Sequence, residues 1–392
     1  MRNTMNEFIN PNQGGNMVFF RVLLLVTAIC LIVGCSKDNK SDPAGPVASE
    51  ALEPLSTLSF TGGERISNAL LDYPYLYVAG AGCYLGIIDV SDSVNPVLVG
   101  SINSSAFADG GGPGGPNTIA KHGGYVFSTF WTTYNTPDSL VIFDVSSPAN
   151  PTIANVIQSF KYPYSSEYFH FGEICIVDTI LYRDHGVRYT INSLPNVQLL
   201  DTVDIGSPLG CNAVRSHIKS AGDNVCFTGV CGSGSPAGNY LWICDGSTGS
   251  LEAYFELPSD VGYSAMESLD SRLFVWQPCI VSYEFGNHIA EIDLSSPQNP
   301  STTQILDVPD EYTVDNTPYQ FILHGMTLGN DFNVFYGPDR TLVLYDNSMA
   351  FLCGSVPADL AGSDHDYFGV NTRGSMIYAM SQKYLDIFSY TQ

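Results

Sequence analysis

From residue 52 to the C-terminus, the hydrophobic positions fall in short runs of β-branched and aromatic residues. Each run is ended within a few positions by Gly, Pro, Asn, Asp or Ser. Runs of this length, bounded by turn formers, predict β-strands, and no long stretch carries the i, i+3, i+4 spacing of an amphipathic helix. One strand cue recurs along the chain: Tyr75-Leu76-Tyr77-Val78, Tyr125-Val126-Phe127, Ile180-Leu181-Tyr182, Val225-Cys226-Phe227, Leu273-Phe274-Val275, Asn333-Val334-Phe335 and Ile377-Tyr378-Ala379.

A second strand follows each cue. Its best copies are Gly86-Ile87-Ile88-Asp89-Val90-Ser91 before Asn95-Pro96, Leu140-Val141-Ile142-Phe143-Asp144-Val145-Ser146 before Asn150-Pro151, and Ala290-Glu291-Ile292-Asp293-Leu294-Ser295 before Asn299-Pro300. Weaker copies are Leu241 to Gly246, Leu342 to Asn347 and Tyr384 to Phe388, and the third unit, Val187 to Leu194, lacks the Asp. The apolar run suits a strand buried on both faces. The Asp and Ser side chains bond backbone N–H groups in a tight turn, and Pro blocks continuation of the strand. This pattern resembles the LVIVD repeat, in which such a strand runs into Asp-Val-Ser-x-Pro-x-x-Pro, over about four-fifths of the chain.

Seven cues over residues 52–392 give units of about 49 residues, within the range of four-stranded propeller blades. The expected fold is all-β, a seven-bladed β-propeller of antiparallel blades; eight shorter blades are the competing count. The last unit stops at its third strand. The orphan segment Leu55 to Phe60, ahead of the first unit, is expected to supply the missing outer strand and close the ring, removing an exposed sheet edge.

Residues 1–34 have a different character. Arg21 is followed by an uncharged apolar run, Val22 to Val33, of about a dozen residues, too short for a helix that needs about 20 to cross a bilayer and right for the core of a signal peptide. Met17 is an alternative start, and an uncleaved membrane helix is the alternative reading. Leu31-Ile32-Val33-Gly34-Cys35 resembles the lipobox of bacterial lipoproteins. That resemblance implies cleavage before Cys35, lipidation of Cys35 and a membrane anchor of several acyl chains. Residues 35–51 read as a polar, Pro- and Gly-containing tether. Its Ser-Lys-Asp start resembles lipoproteins of the outer membrane, including surface-exposed ones of Bacteroidetes-type bacteria. Three segments are therefore expected: a signal peptide (1–34), a lipidated tether (35–51) and a single propeller (52–392).

The composition changes this picture little. Only 14% of residues are charged, while Gly 37, Pro 23 and Tyr 23 suit many short strands and turns. The formal net charge of -24 disfavours phosphate backbones, so no nucleic-acid partner is expected. Apart from Cys30 and Cys35, eight cysteines remain, with no framework spacing. A disulfide, if present, is sought among Cys211, Cys226, Cys231 and Cys244.

No nucleophile elbow, phosphate loop or HExxH occurs, so the chain is read as a non-enzymatic binding or scaffold module for a protein or glycan. The alternative is an enzyme or metal protein using the channel. With the cue strand as register, the position about eight residues earlier faces the central channel. It holds Asn68, Thr118, Glu173, His217, Ala265, His324 and Gly369, with His170 and His365 in neighbouring loops. The sequence requires no cofactor, yet imidazole and carboxylate suit a transition metal. The glycine-rich segment 109–116 is either a flexible insertion or a lid. The aromatic segments 130–134 and 162–164 are candidate stacking surfaces.

Overall fold

Alternation with a period of two decides how this chain is packed. In the strand that carries the first cue, Leu76 and Val78 join one apolar cluster while Tyr77 and Ala79 join another. Successive side chains leave opposite faces of a strand, so a strand apolar at every position needs a neighbour on each side. A ring of blades supplies that.

The computed structural model describes residues 51–60, 65–81, 83–103, 116–130, 139–158, 173–183, 186–204, 213–231, 238–257, 265–276, 288–308, 311–314, 317–320, 323–329, 331–337, 340–348, 351–355 and 367–391. An N-terminal strand, β1 (Ala51–Ser59), comes first. Blade one follows as β2 (Arg65–Asp72), β3 (Tyr75–Ala81), β4 (Cys83–Asp89) and β5 (Val97–Asn103). Blade two is β6 (Pro116–His122), β7 (Tyr125–Phe130), β8 (Ser139–Asp144) and β9 (Thr152–Gln158). Blade three is β10 (Ile174–Val177), β11 (Ile180–Arg183), β12 (Val187–Ser193) and β13 (Asn196–Thr202). Blade four is β14 (Ala213–Ala221), β15 (Asn224–Cys231), β16 (Gly238–Asp245) and β17 (Leu251–Glu256). Blade five is β18 (Ala265–Leu269), β19 (Arg272–Trp276), β20 (His288–Asp293) and β21 (Ser301–Asp307). A separate hairpin, β22 (Glu311–Val314) and β23 (Thr317–Gln320), is inserted next; no sequence cue announces it. Blade six is β24 (Gly325–Leu328), β25 (Phe332–Tyr336), β26 (Leu342–Asp346) and β27 (Phe351–Ser355). Blade seven has β28 (Tyr367–Arg373), β29 (Met376–Ser381) and β30 (Tyr384–Thr391).

Every blade is an antiparallel four-stranded sheet, and the seventh takes β1 as its outer strand in the order β1-β30-β29-β28. The fold is therefore a seven-bladed β-propeller closed by the N-terminal strand, which begins at Ala51 and ends at Ser59 where the sequence marked Leu55 to Phe60. The inner strands touch in a full circle: β2 meets β6 and β28, and β6, β10, β14, β18, β24 and β28 follow in order. Seven apolar clusters fill the seven seams between neighbouring blades. Cys175, Cys226 and Cys244 are free, buried thiols within these seams; the side chains of Cys211 and Cys231, like residues 1–50 with Cys35, lie outside the described residues.

The repeated Asp does what its turn chemistry requires. Asp89, Asp144, Asp293 and Asp346 each accept the backbone N–H two residues on, at 2.9, 2.9, 2.8 and 2.9 Å. Asp245 accepts from the N–H of Ser247 and Thr248 and from both hydroxyls. In blade three Thr190 stands at this register and takes the Asn192 N–H on its hydroxyl at 3.5 Å. Blade seven departs from the expected copy. Ser389, opposite Met376, holds the turn register there, while Asp386 sits mid-strand and buried.

Candidate functional site

Antiparallel strands fix which connections share an end of the ring. The hairpins joining first to second strands, and the Asp turns joining third to fourth, lie at one end, here the turn end. The connections from second to third strands and from each blade to the next lie at the other, the loop end. Segments 104–115, 131–138, 159–172, 232–237, 277–287 and 356–366 all join strand ends of the second kind.

Counting back from each first hairpin, the fifth residue is Asn68, Thr118, Glu173, His217, Ala265, His324 and Gly369 in the seven blades, with Glu173 and His324 one position ahead of β10 and β24. The sequence register and the structural register therefore coincide. In blades one, two, four and seven the pairing shifts by a β-bulge immediately before this residue, a device that re-aims side chains beside a site. A Cβ built on Gly369 meets nothing within 4 Å, so the position opens on free space.

Asn68, Glu173, His217, Ala265 and His324 all line one cavity of about 330 Å³ toward the loop end. Thr118, on blade two, is not among the described residues of its wall; its carbonyl accepts the Ser128 hydroxyl at 2.8 Å. His365 and His170 lie outside the described residues. Sequence reasoning missed Glu267, Trp276 and Tyr336, which also line the cavity. Glu267 follows Ala265 by two residues on the same strand, and Trp276 is paired directly opposite Ala265, as Tyr336 is opposite Gly325. The period of two and the cross-strand pair were the signals that would have found them.

The cavity's polar groups bond across seams. Glu173 of blade three accepts from His217 Nδ1 at 2.7 Å and from the Ile218 N–H at 2.9 Å, both on blade four. The carboxylate fixes the ring so that Nδ1 faces it and Nε2 is the nitrogen left over. Lys219 of blade four reaches Glu267 of blade five at 2.8 Å, and Glu267 also takes the Ser268 N–H at 3.1 Å. Burial works to lower the Lys219 pKa, but the charge and hydrogen bond of Glu267, together with the Glu173 charge, outweigh it and the value is raised. Tyr336 donates to the Phe368 carbonyl of blade seven at 3.2 Å; burial, with the Glu267 charge second, pushes its hydroxyl pKa up. No three His, Cys, Asp or Glu among the described residues stand together in a way that holds a metal ion.

A second polar cluster, also unforeseen, sits where the ring closes. Buried Asp386 accepts from Thr57 of β1 at 2.7 Å, from Tyr367 at 2.8 Å and from Arg340 Nε of blade six at 2.9 Å. The Arg340 guanidinium lies 5.2 Å from the Tyr384 ring centroid. This cluster joins blade six, blade seven and the closing strand.

Residues 74–104 and 118–157 match the LVIVD repeat. These spans cover β3 to β5 and β6 to β9. The chain is a β-propeller whose first two blades match the LVIVD repeat. No curated protein matches its sequence. Among solved structures it is similar to the WD40 β-propeller domain of Doa1, at 10% identity and a TM-score of 0.54, covering 87% of this chain and 97% of that one. It is also similar to Chaetomium thermophilum Raptor, at 9% identity and a TM-score of 0.56, covering 87% of this chain and 29% of that one. Saccharomyces cerevisiae Sqt1 is similar at 7% identity and a TM-score of 0.51, with 86% and 99% covered. At such identities the likeness is one of fold alone.

Proposed function

We propose that this LVIVD-repeat propeller is a binding or scaffold module that engages a protein or glycan partner with its loop end, while lipid on Cys35 holds it to the outer membrane, facing the cell exterior. The observation that carries the reading is the coincidence of the cavity with the long connections at one end of the ring. Binding sites concentrate on loops held by a rigid scaffold, and the opposite end is spent on short capped turns. The anchor is supported by the lipobox-like Leu31 to Cys35 alone.

Capture from envelope extracts and a glycan array test the module. Asn68→Arg at the channel mouth is expected to abolish binding, and Ala149→Arg, at an exposed position of the turn end, to leave it intact; the reverse pattern would sink the reading. For the anchor, a clickable fatty acid should label the wild type and not Cys35→Ser.

One observation favours a second reading, a metal or catalytic site in the channel: His217 is held by Glu173 in the manner of an oriented imidazole ligand or base. Metal analysis of the purified chain tests it. Stoichiometric metal lost in a His217→Ala/His324→Ala double variant would favour it over the scaffold; absence of metal together with unchanged behaviour of the double variant would end it.

A further inference from the structure

The two carboxylates that line the cavity have one sign of demand. Both Glu173 oxygens and both Glu267 oxygens already hold donors, yet a carboxylate has about four acceptor sites, so each retains capacity to accept. The nitrogen that His217 leaves over accepts when the ring is neutral. Tyr336 spends its proton on the Phe368 carbonyl. Against the two carboxylates the described residues set one ammonium, that of Lys219, so with neutral imidazole the site carries residual negative charge. Of the remaining wall, Asn68 and His324 are polar, while Met266, Met326 and the indole of Trp276 give it an apolar side, and an aromatic face attracts a cation electrostatically. The volume of about 330 Å³ stands at the small end of ligand sites. The chain's formal net charge of -24 draws cations toward it from a distance.

Building on the reading of the loop end as the binding end, we propose that the channel-mouth cavity takes an aliphatic chain ending in a cationic nitrogen, an ammonium or guanidinium. Its head lies at the Glu173 and Glu267 carboxylates and its chain lies along Met266, Met326 and Trp276. An anion would meet two carboxylates, and a neutral polar molecule would leave the charge unanswered. The same chemistry comes from a free amine or from a Lys or Arg side chain of a protein partner.

The test uses the full chain in detergent, titrated calorimetrically with n-butylammonium and n-butylguanidinium, with neutral n-butylurea and anionic pentanoate as controls. Saturable one-to-one binding of the cations is expected, with n-butylurea weaker by roughly tenfold or more and pentanoate silent. Glu267→Gln should weaken the cations by roughly tenfold or more, and Ala265→Leu, which fills the cavity without altering charge, should block them. Asp144→Asn at the turn end should change nothing. Equal binding of n-butylurea, absence of saturable cation binding, or cation binding untouched by both Glu267→Gln and Ala265→Leu would overturn the proposal. A capped Gly-Lys-Gly peptide separates the sources: tighter binding than n-butylammonium assigns the head to a partner's side chain, weaker binding to a free amine. Failure of the cations while loop-end capture of a partner persists overturns only this inference; cation binding without such capture overturns only the scaffold reading.

Discussion

At the turn end, Asp144 takes the N–H and hydroxyl of Ser146, two residues away, and the same short-range bonds recur at Asp89, Asp245, Asp293 and Asp346. Toward the loop end, Asp386 gathers Thr57 across 329 residues of chain, Arg340 across 46 and Tyr367 across 19. Glu173 and His217 are 44 apart, Lys219 and Glu267 48 apart. One end repeats a local, water-exposed bond from blade to blade and adds a few long-range ones, such as that of the Tyr182 hydroxyl to the Gly246 carbonyl across 64 residues. The other is held by long-range bonds, each made once and largely sheltered. Repetition suits an end that only has to turn the chain. Singular contacts are what allow similar blades to enclose a cavity with different walls.

The contrast sets an order of expected effects. Asp386→Ala strips the buried partner from Arg340, whose side chain is 12% exposed, and a buried charge left alone costs about 3–5 kcal/mol. Urea denaturation should show that loss; a change no larger than that of a turn Asp would remove the distinction between the ends. Next is Gly325→Ala. A Cβ there would overlap the Tyr336 hydroxyl, so the ring must leave its bond to Phe368, at about 1–3 kcal/mol for overpacking. The same variant should reduce cation binding, since Tyr336 would be pushed toward the cavity. Smaller still is Asp245→Ala at the turn end, expected to cost about 1 kcal/mol, the scale of an ordinary hydrogen bond, in the same denaturation series.

The turn end also predicts a response to acid. The hydroxyl and N–H of the next serine hold Asp89, Asp144 and Asp293 below the usual carboxylate range, and those of Ser247 and Thr248 hold Asp245 at about 2. A folded-state pKa below the unfolded value of about 3.9 contributes stability that is complete above that value. It is lost as pH falls toward 2. Thermal midpoints should therefore be flat near neutrality and fall below about pH 4. Asp245→Asn should flatten part of that fall.

The same division explains what was legible in the chain. Strand cues, Asp turns and the count of blades are periodic and local, so one sequence displays them many times over. The channel register was legible too, because Asn68, Glu173, His217 and His324 stand about eight residues ahead of their cues. Asp386 was misread as a turn residue because its fragment, Tyr384 to Phe388, looks like the repeat; only pairing with Met376 shows that Ser389 holds that register. Thr118 shares the register yet is absent from the described wall of the cavity, since the ring position fixes a direction and not which neighbours meet. Glu267 and Trp276 needed a further step from that register, two residues along β18 and across to β19 from Ala265, which one position per blade does not display.

Photo-crosslinking tests the division of labour most directly. A photoreactive residue replacing Ser139, where β8 starts at the loop end, is compared in intact cells with one replacing exposed Ser147 in the turn that follows the same strand. Discrete adducts from position 139 and none from position 147 are predicted. Adducts of equal yield from both positions, or from position 147 alone, would contradict a loop end built for binding and a turn end built only for the fold.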